Sequence, residues 1–133
     1  MTFEVNQLQR KEFYPTFCKW LSEHNFPVIS DSILPENVFV CYVDGLPIYA
    51  IWFCFTDSKS LAWLGWPISN KNINHKKRAG GMDFLLEYVS NYAKKKKISI
   101  LFTTSNTQGV VEPLLKNGFM IGDKAVDHLF KKI

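Results

Sequence analysis

The sequence predicts an α/β protein of the α+β kind, with a mixed, mostly antiparallel central sheet. Three observations predict it. "VFVCYV-DG-LPIYAIWFCF" is two β-branched and aromatic runs joined by Asp44-Gly45, a two-residue turn that closes hairpins. A third strand, "SLAWLGWPIS", follows the short polar stretch Asp57-Ser58-Lys59. Next comes a helical pattern from about Gly81, with Met82, Leu85, Leu86, Val89 and Tyr92 or Ala93 on one face, and then "ISILFTTS", an apolar run expected as a strand buried inside the sheet. Strand, helix and strand in that order make a crossover, which pairs its two strands in parallel.

The remaining elements follow in chain order. Residues 2–8 (TFEVNQL) read as a first strand. Phe17, Trp20 and Leu21 keep i, i+3, i+4 spacing, so a helix is expected from near Tyr14 to His24, with Pro15 placed in its first turn. Two prolines make residues 26–36 a loop with one short helical turn, and residues 69–79 form a second loop. A helix from about Gly109 to Lys116 stops at Asn117-Gly118. "FMIG" and "VDHLFKKI" are expected to close the chain as two strands, giving the order β-α-β-β-β-α-β-α-β-β.

At 133 residues, without a linker or repeat, one domain over 1–133 is the simplest reading. Hydrophobic residues make up 47% and aromatics 15%, which excludes a disordered chain and predicts an aromatic-rich core. The net charge of +4 permits an anionic partner but is small for a dedicated nucleic-acid binder. Cys18, Cys41 and Cys54 are odd in number and have no close pairing, so no disulfide framework or metal site is expected, and a reducing cytoplasmic setting fits. "MTFEVNQLQRKEFY" lacks the pattern of a signal peptide, and no apolar run approaches membrane-spanning length, so no membrane partner is expected.

Charge and glycine meet in "NHKKRAGGMDFLLEYV". A helix start carries about half a positive charge and several unpaired N–H groups. Lys76, Lys77, Arg78 and the pair Gly80-Gly81 add cations and bare backbone there, which describes a cradle for a phosphate. The competing reading is a basic surface loop with a flexible glycine pair. The second basic run, Lys94 to Lys97, reads as a solvated helix end favoured by the dipole.

The same residues carry a family resemblance. "KRAGGM-DF-LL" resembles the R/Q-x-x-G-x-G/A signature and following Leu-Leu pair of the GNAT superfamily of N-acyltransferases, with Lys77, Gly80 and Met82 at its three positions or, in an alternative register, Arg78, Gly81 and Asp83. "LLKNGFMIG" is similar to the family's "LYEKLGF" and the strand after it. The resemblance implies a GNAT-like sheet with a splayed parallel strand pair and helices on both faces. It implies acetyl-CoA as acyl donor and an unidentified primary amine as acceptor, in a monomer or homodimer. The cofactor-binding residues it implies are Trp66 and Ile68 on the "LAWLGWPIS" strand, the loop Lys77, Arg78, Ala79, Gly80, Gly81 and Met82, and Asn106 after the next strand. In this reading "GWP" breaks the strand so that its backbone can meet the pantetheine arm and the thioester carbonyl.

The catalytic pair stays unassigned. The strand on which the family often carries a glutamate has no acid, which leaves Asp57, His75, Asp83 and Glu112 as substitutes. The family's general-acid tyrosine falls on Leu114, and His24 and His128 have no partner in sequence. Two other functions therefore stand beside N-acetyl transfer: a GNAT-like fold that binds without acylating, and a nucleic-acid-modifying protein using residues 75–78, Lys94 to Lys97 and the tryptophans. In the cradle reading, Gly80→Val should weaken CoA binding with little change in Tm.

Overall fold

The computed structural model describes residues 1–105 and 108–133. Five strands form one sheet in chain order: β1 (Phe3–Gln9), β2 (Asn37–Val43), β3 (Leu46–Phe55), β4 (Leu61–Ser69) and β5 (Ile100–Phe102). The first four pair antiparallel, and β5 lies parallel to β4 through the registers Leu61↔Ile100, Ala62↔Leu101 and Trp63↔Phe102. The hairpin forms as its turn residues require, with φ of 50° at Asp44 and 81° at Gly45, the double left-handed geometry of a tight hairpin turn.

Helices cover both faces. On one face α1 (Arg10–Glu23) buries Phe13, Phe17, Trp20 and Leu21 against Val38, Val40, Ala50, Trp52 and Ile68. On the other, α3 (Gly81–Lys95) buries Leu85, Leu86, Val89 and Ala93 against Phe39, Cys41, Ile51, Phe53, Ala62 and Leu64, with α4 (Gln108–Lys116) adding Leu114. The odd and even positions of β2 divide cleanly between the two cores, as strand alternation demands.

Several expectations are corrected. α1 begins at Arg10 rather than Tyr14, because the Glu12 side chain accepts from the Gln9 N–H at 3.1 Å and fixes an earlier start. Pro15 consequently sits in the second turn, where four buried side chains hold the helix through the missing hydrogen bond. The 69–79 loop contains a short helix, α2 (His75–Arg78), capped by Asn74 Oδ1 accepting from the Lys76 N–H at 2.7 Å. β5 is three residues long and not buried: it is the sheet edge, and Ile100 and Phe102 are 58% and 53% exposed. "FMIG" and "VDHLFKKI" form no strands; Met120, Leu129 and Phe130 lie exposed, because alternation makes a strand only where a partner edge receives it.

Candidate functional site

β4 changes character along its length. Up to Trp63 it is paired on both sides, but from Leu64 to Ser69 its β5 side has no strand partner among the described residues. The Thr103 hydroxyl crosses the gap, donating to the Leu64 carbonyl at 2.8 Å. On its β3 side the register steps from Trp52↔Gly65 to Ala50↔Ile68, so β4 holds one extra residue there. The bulge has a visible consequence: Ala62 and Leu64 face α3, whereas Ile68 faces α1. Trp66 occupies the bulge at φ 47°, a conformation costing a bulky residue roughly 1–3 kcal/mol. Its ring is held edge-on to Trp63 with centroids 5.0 Å apart, and Pro67 brings no N–H. The "GWP" break thus lies in the part of β4 left open towards β5.

The glycine pair sits at the same end of the sheet and splits into two roles. Gly80 is the N-cap of α3 at φ 86°, and the nearest atom a Cβ would meet is Phe3 Cε2 at 3.5 Å. It is exposed and left-handed, so its backbone can be approached closely. Gly81 is buried, and a Cβ on it would lie 2.6 Å from Ile48 Cδ1, so it lets the helix start close against β3. Ala79 is exposed beside Gly80 and Lys77 is half-buried, while Met82 packs against the α3-side core and offers the loop its backbone. Arg78 behaves differently from a surface cation. It is 8% exposed, its Nε donates to the Ile73 carbonyl at 2.8 Å, and its guanidinium lies 5.6 Å from the Tyr49 ring centre. It braces the loop from inside. Because Gly80 needs φ 86°, Gly80→Val would strain the backbone of the free protein as well, which corrects the expectation of an unchanged Tm.

On the α1 face, the bulged end of β4 walls a half-open cavity of about 290 Å³. Phe17 and Leu21 of α1, Phe26, Pro27 and Ile29 of the following loop, and Trp66, Pro67 and Ile68 of β4 line it. Tyr14 Oη donates to the Ile29 carbonyl at 2.8 Å and pins that loop. Trp66 and Ile68 therefore belong to the wall of a cavity that the strand pattern alone did not indicate. At its rim stands His24, whose ring stacks on Phe26 with centroids 5.2 Å apart. Its Nε2 lies 2.8 Å from the Ser69 carbonyl. A carbonyl only accepts, so Nε2 carries a proton, and in the neutral ring Nδ1 is then the nitrogen with the lone pair. Sequence reasoning missed His24 because its partner is set by the packing of α1 against the end of β4. Glu23, beside it, accepts from Asn72 Nδ2, and its Oε1 is buried without a hydrogen-bond partner among the described residues.

Other candidates are dispersed. Asp57 sits in the exposed β3–β4 turn, at the opposite end of β4 from the bulge. Asp83, in the first turn of α3, accepts from Lys116 Nζ and Asn117 Nδ2 at 2.9 Å each, and these bonds hold its carboxyl below the usual range. His75 Nδ1 lies 3.4 Å from Arg78 Nη2, Glu112 is on α4, and His128 is in the exposed C-terminal segment. Leu114 is a core residue, so no proton donor stands at that position. Burial pushes the Cys41 thiol up to about 12, which keeps it protonated and unreactive near neutral pH. Asn106 lies outside the described residues.

No family model matches this sequence, and neither does any curated protein. Solved structures do match in fold. An aminoglycoside acetyltransferase from an uncultured soil metagenomic sample, in complex with sisomicin, is 12% identical with a TM-score of 0.70, over 98% of this chain and 97% of that one. An acetyltransferase of Trypanosoma brucei is 11% identical with a TM-score of 0.64, over 97% and 100%. N-acetylglutamate synthase from Neisseria gonorrhoeae, complexed with coenzyme A and N-acetyl-glutamate, is 15% identical with a TM-score of 0.70, over 92% of this chain but 29% of that one. The fold of this chain is that of the GNAT-type acetyltransferases. No helix among the described residues is long and apolar enough to cross a membrane.

Proposed function

We propose that this chain is an N-acetyltransferase that moves an acetyl group from acetyl-CoA to a primary amine. The observation that carries the reading is the open, bulged half of β4 lying at the same end of the sheet as the exposed left-handed Gly80. The donor would supply a thioester whose carbonyl carbon accepts a nitrogen nucleophile. Ala79, Gly80 and the first N–H groups of α3 offer its phosphates a loop of backbone donors, and Lys77 adds charge. The β5-side edge of β4 beyond Leu64, which has no strand partner among the described residues, offers the extended arm a place to pair. An ammonium must lose a proton before it can attack, and His24 Nδ1 is the proposed acceptor.

Titration calorimetry with acetyl-CoA and desulfo-CoA tests donor binding, and CoA release with an amine panel tests transfer. Binding of both donors with release of CoA is expected. Release should fall at least tenfold in kcat for His24→Gln, with acetyl-CoA affinity unchanged. Absence of donor binding overturns the reading. The burial of Leu114 and the lack of an acid on β4 favour a second reading, a protein that binds acyl-CoA without transferring the group. Tight donor binding with no release in any condition would select it.

A further inference from the structure

Resting on that reading, we infer that the acceptor is a primary amine borne on an uncharged, apolar body, an arylalkylamine or alkylamine, seated between α1 and the bulged end of β4. Three observations carry this. First, every side chain lining the cavity is apolar, from Phe17 and Leu21 through Phe26 to Trp66 and Ile68. A polycation seated there would bury charges without partners, which is far more costly than burying a ring or an alkyl chain. Second, the cavity is small: about 290 Å³ falls just under the range for drug-sized ligand sites, roughly 300–1,000 Å³. It suits one ring or a short chain. Third, a polar side chain stands beside this wall: His24 stacks on the lining residue Phe26 and bonds to Ser69, next to the lining residue Ile68. The carboxylate at this end of α1, Glu23, is engaged by Asn72 and does not line the cavity. An apolar wall with an imidazole beside it matches a ligand with one amine and an otherwise greasy body.

The bulge ties this cavity to the proposed reaction. By turning Ile68 to the α1 face, it lets one stretch of β4 present side chains to the cavity while its free edge stays open towards β5. The transfer balances simply. The ammonium gives one proton to His24 Nδ1, directly or through water. The freed nitrogen pair forms the C–N bond, the C–S bond breaks with its pair on sulfur, and the second amine proton passes to the thiolate.

The test compares kcat/KM, read as CoA release, for phenethylamine, a straight-chain series from butylamine to octylamine, spermidine and kanamycin. Binding of the same amines is read separately by calorimetry, so the result does not depend on turnover. The expected result is a preference of at least tenfold for phenethylamine over spermidine and kanamycin. Each added methylene should bring a rise of roughly three- to fourfold until the cavity fills, the factor equivalent to one buried methylene. Phe26→Glu alters a side chain that is 51% exposed and should keep the Tm. It should cut phenethylamine binding at least tenfold and narrow or reverse the preference. Equal or better use of the polycations by the wild type, or amine binding indifferent to Phe26→Glu, overturns the inference while leaving acetyl transfer standing. Failure of every amine to bind overturns it as well, and donor calorimetry then decides separately whether the acetyltransferase reading survives.

Discussion

Two basic runs bracket the same helix, and they do different work. At the C-terminal end of α3 the Lys97 N–H bonds to the Lys94 carbonyl at 3.0 Å, and the Ile98 N–H reaches back to the Ala93 carbonyl at 2.9 Å. Lys97 itself takes φ 61°, so this is a complete left-handed cap built without glycine. Lysines there complement the helix dipole and need no ligand to explain them. At the N-terminal end, charge stands where the dipole already presents positive potential, an arrangement that is unfavourable without an anion. The protein relieves it only in part, by burying Arg78 against Tyr49 and placing Asp83 in the first turn. Like charges in sequence thus say little until the backbone beneath them is known.

The sharpest way to break the comparison is to disturb the backbone at the N-terminal end. Gly81→Val adds atoms where even a Cβ meets Ile48 Cδ1 at 2.6 Å and the Tyr49 ring at 3.1 Å, so these side chains or the start of α3 must shift. Overpacking of this kind costs about 1–3 kcal/mol, and a fall in Tm of roughly 5–15 °C is expected by thermal melts. CoA binding should be lost with it. A wild-type Tm would show that the helix start is not packed as described.

Gly80 separates conformation from contact. Gly80→Val should lower the Tm because a branched side chain resists φ 86°, whereas Gly80→Asn tolerates the left-handed region and should melt within a few degrees of wild type. Both add atoms where phosphate oxygens would approach, so calorimetry should show CoA affinity falling at least tenfold in each. Wild-type affinity in Gly80→Asn would remove the cradle and leave the glycine as a helix cap alone.

How much of this was legible in the sequence depends on how local the cause is. The Asp44-Gly45 hairpin was readable because the two turn residues themselves demand the geometry, and α3 because its apolar face repeats over four turns. The early start of α1 hung on Gln9 and Glu12, a pairing weaker than the usual serine or threonine cap. Arg78 could not be read as an internal brace, since Tyr49 comes from a different element. The glycine pair was legible as a special position, but only the structure separates Gly80, kept for its dihedral, from Gly81, kept for its lack of a side chain. The closing strands failed for the opposite reason: alternation is a local pattern, whereas a strand needs a partner.

The charge prediction is gentler. Lys77→Ala should weaken CoA binding by about 1 kcal/mol or less, at most about fivefold, and the loss should shrink as salt rises. Lys95→Ala, at the far end of the same helix, should change nothing. Equal losses from the two would mean that the protein attracts CoA by its overall charge rather than at the N-terminus of α3.

Asp83 gives the smallest effect and the most specific one. Its carboxylate is the one negative group in the first turn of α3, and it is bonded to Lys116 and Asn117 of the α4 end. These partners hold its pKa below the ordinary value, so the link strengthens the folded state above the unfolded pKa, about 3.9, and is lost as pH falls through the lower folded value. Melting curves of wild type and Asp83→Asn should therefore differ modestly at pH 6 and converge once the pH drops well below 4. Screening keeps that difference small, since the pair stands largely in solvent. The same substitution removes a negative charge from the end of the helix proposed to hold phosphate, so CoA affinity at low salt should hold or rise slightly even as stability falls. A loss of CoA affinity in Asp83→Asn that tracks its loss of stability would instead mean that the Asp83 link positions the α3 start for binding, and the contrast between the two ends of the helix would have to be redrawn around α4.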